Sequence, residues 1–173
     1  MTDYKIRPAV EDDVEEILRL IQEFTEYLHV KIPEQLETIS ERLRRDGFGE
    51  QKCFEYLVVE DTTAKTAEGK TVLLGFALYF YTYATLVGRI IYLEDLFLSE
   101  AYRGRGIGAK LFKTVAQIGT AHNCQKMQWV AHTWNKPSIE FYKKQGAVNM
   151  TEKEKWNIFQ LTRPESEQLS KKQ

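Results

Sequence analysis

The stretch YRGRGIGAKL, residues 102–111, places three glycines and two arginines in one short run. It follows the apolar segment RIIYLEDLFL at 89–98 and precedes a segment with helical apolar spacing from about 107 to 122. Glycines leave backbone N–H groups accessible, and the N-terminus of a helix attracts anions. The stretch therefore predicts a strand–loop–helix unit whose loop binds a phosphate or pyrophosphate group.

Two familiar phosphate loops fit this stretch poorly. A P-loop requires a lysine followed by Ser or Thr, whereas Lys110 is followed by Leu111. A dinucleotide-binding fingerprint fits formally, but the next expected strand ends in VAHTW at 130–134, without the carboxylate that holds the ribose. A nicotinamide-dependent oxidoreductase is therefore a remote alternative.

A third pattern, Arg-x-x-Gly-x-Gly, fits without these conflicts. It consists of Arg103, Gly106 and Gly108, and Arg105 adds a second fixed positive charge. Guanidinium groups suit a pyrophosphate, and the backbone N–H groups of such a loop can point toward it. The alternative is a tight strand–helix turn with solvated arginines.

Composition limits the class of protein. The chain has 173 residues, 43% of them hydrophobic and 28% charged, and a net charge of −1. This balance favours one globular domain and argues against nucleic-acid binding, which usually needs a basic surface. Cys53 and Cys124 form no CxxC pair, and the sequence shows no signal peptide and no apolar run long enough to cross a membrane. We therefore expect free thiols, a cytoplasmic location and no membrane partner.

Apolar periodicity and turn residues predict a mixed α/β domain with the order βααβββαβαββ, in which helices flank a central mixed sheet. A core of about 4–161 precedes a polar C-terminal tail at 162–173, in one domain over 1–173. The expected strands are YKIRP (4–8), FEYLVVE (54–60), VLLGFALYFYTYAT (72–85), RIIYLEDLFL (89–98), KMQWVAH (126–132), AVNM (147–150) and WNIFQL (156–161), and the expected helices span 11–28, 33–45, 107–122 and 137–146.

Two adjacent carboxylates interrupt the apolar strand at 89–98. Glu94 and Asp95 would point to opposite faces, so one of them faces inward or into a cleft. Because a buried carboxylate is costly unless it is paired or used, we expect a pair that attracts a cationic substrate and accepts its proton. The alternative is a position at the rim of the sheet.

The sequence resembles the GNAT acetyltransferases, and within them the diamine (spermidine/spermine) branch with its thialysine-acetylating relatives. The resemblance covers about 4–161 and implies the GNAT fold. It is carried by IRPA (6–9), ILRLI (17–21), DGFGE (46–50), YLEDLFL (92–98), YRGRGIG (102–108) and WNKPSIEFYKKQGA (134–147). It implies an acetyl-CoA-dependent N-acetyltransferase that acts by direct transfer through a tetrahedral intermediate.

The resemblance also implies roles for individual residues. Glu94 would be the base and Tyr142 the acid that protonates the departing thiolate, while Asp95 would assist amine recognition. Apart from the resemblance, the rings of Tyr27 and Trp129, with Glu26 and Tyr83 as further candidates, would line the amine site, because aromatic faces favour a cation or a methylene chain. The coenzyme would contact Leu96, Phe97 and Leu98 through their backbone, and also Arg103, Gly104, Arg105, Gly106, Ile107, Gly108, Ala109, Asn135, Ser138 and Tyr142.

The substrate is the open point of this interpretation. A polyamine or diamine is the first expectation, and thialysine or another lysine-like amine is the alternative. Leu28, Lys31 and Thr133 make the expected amine-binding groove less negative than the groove of the polyamine branch. A non-catalytic acyl-CoA-binding module is a remote alternative.

The sequence also gives expectations about metal binding and assembly. The histidines lack metal-ligand spacing with the cysteines, so we expect no metal. The resemblance implies a homodimer.

Overall fold

The structure, a computed structural model, describes residues 3–32 and 34–171. Residue contacts group the chain into two units, the first ending at Val130 and the second beginning at Ala131. The first unit contains the whole sheet, and the second contains three helices joined by irregular segments.

A five-stranded mixed sheet forms the centre of the first unit. Its strands lie in chain order, and only the last pair is parallel. The strands are β1 (Tyr4–Pro8), β2 (Glu55–Lys65), β3 (Thr71–Ala84), β4 (Gly88–Leu98) and β5 (Lys126–Gln128). The predicted α/β architecture with a mixed sheet is confirmed.

Six α-helices are described. In the first unit they are α1 (Val14–Leu28), α2 (Leu36–Leu43), which continues into a π-helical turn over Arg44–Phe48, and α3 (Ile107–Ala121); in the second they are α4 (Lys136–Lys144), α5 (Met150–Glu154) and α6 (Arg163–Ser170). The predicted start of the second helix at Pro33 lies outside the described residues. None of the helices in the described ranges is long and apolar enough to span a membrane.

Helices α1 and α3 cover opposite faces of the sheet. Phe24 of α1 packs on Phe76 and Phe97, with ring centroids 6.3 Å and 5.2 Å away. On the other face, an added Cβ at Gly119 of α3 would lie 2.6 Å from the Ile91 side chain. We call these the α1 face and the α3 face. The apolar periodicity of both helices accounts for this arrangement, because each buries one stripe of side chains.

The C-terminal part of the sequence differs from prediction. The segments 147–150 and 156–161 are not strands, and the fifth strand ends at Gln128 rather than near His132. The tail expected at 162–173 contains α6, which begins with a capping box between Thr162 and Glu165. An apolar stretch becomes a strand only where a sheet edge pairs with it, and sequence pattern alone does not reveal that partner. The predicted domain limits, 1–173, stay a prediction.

Candidate active site

Strand β4 changes its pairing half-way along its length. Ile90, Ile91 and Tyr92 pair with β3 on one side and with β5 on the other. From Leu93 to Leu98 the strand pairs with β3 alone among the described residues. The outer edge of this second half therefore presents backbone N–H and C=O groups that no described strand uses.

A β-bulge lies where the pairing changes. Leu93 lies opposite Tyr79 and Asp95 lies opposite Leu78, so Glu94 is the extra residue. Because of the bulge, Asp95 shares the α1 face with Phe97, while Glu94 is exposed to solvent. One carboxylate thus faces inward, as the apolar context of the strand predicts.

The inward carboxylate has an unusual environment. Burial raises the pKa of Asp95 to about 7, and the charge of the neighbouring Glu94 adds to the rise. Asp95 makes no hydrogen bond or ion pair with any residue in 3–32 or 34–171. The side chain of Tyr56 lies on the same face, where burial, with the nearby Asp95 charge, raises the pKa of its hydroxyl. A partly buried carboxylate without a cationic partner is suited to receive one from a ligand.

The glycine loop follows β4 through a short 3-10 turn at Glu100–Tyr102. Gly104 and Gly106 have positive φ angles of 72° and 79°, which only glycine adopts without strain. An added Cβ at Gly104, Gly106 or Gly108 would meet no atom within 4 Å, so the space beside the loop is open. The loop therefore leaves room for a ligand to approach its backbone.

Helix α3 begins directly from this loop. Gly106 is its N-cap, no side chain caps it, and its first turn contains no acidic residue. The first N–H groups of a helix have no partner within the helix and favour an anion. The side chain of Ile107 is 2% exposed and anchors this end of α3 in the core. Backbone donors at Ile107, Gly108 and Ala109 are thus held on a fixed element.

The two loop arginines have different surroundings. Nε of Arg103 donates to the carbonyl oxygen of Leu98 at 2.8 Å, and its guanidinium carbon lies 4.5 Å from the centroid of the Tyr27 ring. The guanidinium carbon of Arg105 lies 5.7 Å from the centroid of the Tyr102 ring. Sequence reasoning missed the contact of Arg103 with Tyr27, since no local pattern links residues so far apart.

The aromatic residues expected around the amine do not share one face. Tyr27 lies on the α1 face, beside Arg103, whereas Trp129 packs edge-on against Phe112 of α3 with ring centroids 5.2 Å apart. Tyr83 lies near the tip of the β3–β4 hairpin and is 73% exposed. Glu26 is exposed on the last turn of α1. Of these residues, Tyr27 is the one on the same face as Asp95.

The remaining predicted residues lie in the second unit. Asn135 is buried and is the N-cap of α4, where its side-chain oxygen accepts a hydrogen bond from the Ser138 N–H at 3.3 Å. Tyr142 is half-buried on the same helix, and its ring packs edge-on against that of Phe141 at 5.3 Å. The cap and Pro137 in the first turn explain why α4 begins here.

The sequence profile of the acetyltransferase (GNAT) family matches residues 15–147. The chain belongs to the GNAT family. The predicted fold class and acetyltransferase family are thereby confirmed. An integron cassette protein from the mobile metagenome of V. cholerae, 24% identical, has the same fold, with a TM-score of 0.79 over 99% of this chain and 100% of its own.

Two curated relatives of this GNAT chain illustrate the range of named activities. The thialysine N-epsilon-acetyltransferase of Sus scrofa is 39% identical over 93% of this chain and 94% of its own length. The spermidine/spermine N(1)-acetyltransferase-like protein 1 of Homo sapiens is 36% identical over 95% of this chain, which corresponds to 23% of that longer protein. Both branches of the predicted resemblance are therefore represented among its relatives.

Proposed function

We propose that this protein transfers the acetyl group of acetyl-CoA to a primary amine of a small aliphatic cation. The observation that carries the proposal is the second half of β4: an outer edge without a described partner strand, a bulge with two carboxylates, and a glycine loop with open backbone donors. Each of these features meets a separate requirement of the reaction.

The glycine loop fits the pyrophosphate of acetyl-CoA. The open space beside Gly104, Gly106 and Gly108 allows the anion to reach the first N–H groups of α3, and Arg105 adds positive charge. The outer edge of Leu96–Leu98 would bind the pantetheine amides as an added strand. The Leu98 carbonyl already accepts from Arg103, and the Phe97 carbonyl oxygen lies toward Gly75 of β3, so Leu96 provides the remaining outward carbonyl of this segment. Asn135 and Ser138 are proposed further contacts.

The two carboxylates fit the amine. An alkylammonium has a pKa of about 10, so the substrate arrives as a cation and must lose a proton before it attacks. We assign cation binding to Asp95, which is inward and unpaired, and proton acceptance to Glu94, which is exposed and can pass the proton to water. Tyr142 is the proposed acid for the departing thiolate.

Two amine classes agree with the names of the most similar relatives described above. A polyamine or diamine agrees with the name of the human relative, and thialysine agrees with that of the porcine relative. The porcine protein matches nearly end to end, which favours a lysine-like amine with one terminal ammonium. Either amine presents a primary ammonium on a flexible chain, which one inward carboxylate can bind.

The proposal is tested by measuring thiol release from acetyl-CoA with spermidine, spermine, putrescine, thialysine, lysine and a lysine-bearing peptide. We expect turnover with one small-amine class, and a loss of about 100-fold or more in kcat for Glu94→Gln and Tyr142→Phe. Glu68→Gln, in the exposed β2–β3 turn, is the matched control. If CoA binds but no amine is acetylated, the non-catalytic acyl-CoA-binding alternative replaces this proposal.

We also propose that the protein is a homodimer in the cytoplasm. The segment 156–161 is exposed, with Ile158 at 78% and Phe159 at 89% exposure. Such a run of exposed apolar side chains is typical of a surface that a second chain covers. Light scattering should give twice the chain mass, and Phe159→Glu should shift it toward the monomer. A monomeric wild type would refute the dimer.

A further inference from the structure

Arg103 makes three contacts that hold its side chain against the protein. Its Nε donates to the Leu98 carbonyl oxygen at 2.8 Å, and its guanidinium carbon lies 4.5 Å from the Tyr27 ring centroid and 5.5 Å from that of Phe97. A guanidinium within about 6 Å of a ring centroid is attracted by the ring face. Arg103 thus joins the start of the glycine loop to residues of α1 and β4.

Tyr27 lies where α1 ends. The helix stops at Leu28, and His29 takes a left-handed conformation with φ of 55°. One turn earlier, Phe24 packs on Phe97 with ring centroids 5.2 Å apart. Phe97 and Asp95 lie on the same face of β4. The contacts of Arg103 therefore connect the glycine loop with the end of α1 on the face that contains the inward carboxylate.

We propose that Arg103 is a positioning residue that couples CoA binding at the glycine loop to amine binding near Asp95 by fixing Tyr27. This inference rests on the proposed function. A ligand that orders the loop also fixes the guanidinium, and through it the last turn of α1. Anion binding itself falls to the backbone N–H groups and to Arg105, because Arg103 already uses its Nε on Leu98 and lies against Tyr27 and Phe97.

Steady-state kinetics and calorimetry separate this role from direct phosphate binding. We expect Arg103→Met to raise the amine KM about tenfold, measured with spermidine and thialysine, and to change the CoA Kd by less than about threefold. Arg105→Met should instead weaken CoA binding and leave the amine KM near that of wild type. An Arg103→Met variant that loses CoA affinity and keeps its amine KM would overturn the inference.

Conservative variants identify the contact that matters. Arg103→Lys keeps the charge but loses the planar guanidinium, and we expect it to resemble Arg103→Met. Tyr27→Phe keeps the ring that contacts Arg103, so it should raise the amine KM less than Tyr27→Leu, which should resemble Arg103→Met. The double variant Arg103→Met/Tyr27→Leu should be no worse than either single one. Additive effects would show that the two residues act separately and would refute the coupling.

Hydrogen exchange provides a readout that needs no turnover. CoA should slow exchange of the amides at 26–30 in wild type but not in Arg103→Met, while Lys113→Met, an exposed change on α3, should behave as wild type. Equal protection in Arg103→Met would overturn the inference. Protection in wild type without acetylation of any amine would refute the proposed function and leave the link between loop and α1 standing.

Discussion

The two halves of β4 have the same neighbour on one edge and different surroundings on the other. Ile90–Tyr92 is enclosed between β3 and β5, and the side chains of Ile90 and Ile91 are almost fully buried. Leu93–Leu98 has an outer edge without a described partner, a bulge and two carboxylates. The first half stabilises the sheet from both edges, whereas the second half keeps Leu93 and Phe97 buried but leaves one edge open at the proposed site.

This contrast makes a general prediction for substitutions. Changes in the second half should alter kinetic constants without lowering stability, whereas changes packed against the first half should lower stability and leave the kinetic constants unchanged. Residues at functional sites are commonly less favourable for stability than other residues would be, because activity requires them.

Glu94→Gln is expected to have the largest effect. The substitution removes the proposed proton acceptor at an exposed bulge position, so kcat should fall by about 100-fold or more while the melting temperature stays near that of wild type. Thiol-release kinetics and thermal unfolding measure the two quantities. A loss of activity that is accompanied by an equivalent loss of stability would show that Glu94 has a structural role rather than a catalytic one.

Asp95→Asn should weaken amine binding and stabilise the fold at the same time. The pKa of Asp95 is raised from 3.8 to about 7, so the folded state binds its proton more tightly than the unfolded state. Its contribution to stability is therefore present below about pH 4 and is lost as the pH rises through about 7. At pH 8 the variant should be more stable than wild type by up to about 4 kcal/mol, and at pH 4 the difference should vanish.

The pH dependence of amine binding gives a second test of Asp95. In wild type the amine KM should fall as the pH rises through about 7, because the carboxylate becomes charged while the amine remains a cation. In Asp95→Asn the KM should be high and nearly independent of pH in this range. An unchanged slope in the variant would assign the titration to another group.

Gly106→Ala and Gly108→Ala form a matched pair in the glycine loop. Ala at Gly106 must adopt a φ of 79°, which costs about 1–2 kcal/mol, and its methyl group enters the open space beside the loop. Gly108 is helical, so Ala there should raise stability by about 0.8–1 kcal/mol. If the anion of CoA occupies that space, both variants should bind CoA more weakly in calorimetry. Unchanged CoA affinity in both variants would show that the anion does not bind beside the loop.

The sequence was informative where the pattern was local. Alternating and continuous apolar runs predicted β2, β3 and β4, and the glycine run predicted the loop at the start of α3. The bulge was not predictable, because simple alternation places Glu94 and Asp95 on opposite faces without revealing an extra residue between paired positions. The contact of Arg103 with Tyr27 was also hidden, since it depends on tertiary packing between distant segments. The segments 147–150 and 156–161 have apolar residues suited to strands but no described partner edge.

The smallest expected effect comes from a change in α3 where it packs on the first half of β4. Gly119 of α3 packs on Ile91, and an added Cβ would lie 2.6 Å from Cγ2 of that residue, so Gly119→Ala forces α3 away from the sheet. Overpacking typically costs about 1–3 kcal/mol, and the better helix propensity of Ala recovers part of it, which leaves a net loss of about 1 kcal/mol. Denaturant unfolding should detect this loss, with Gln117→Ala on the exposed side of α3 as the control. The double variant Gly119→Ala/Ile91→Ala should be less destabilised than the sum of its parts, because Ile91→Ala removes the clashing methyl group. The KM values for acetyl-CoA and amine should remain those of wild type throughout; if they change, the two halves of β4 are coupled and the division between them does not hold.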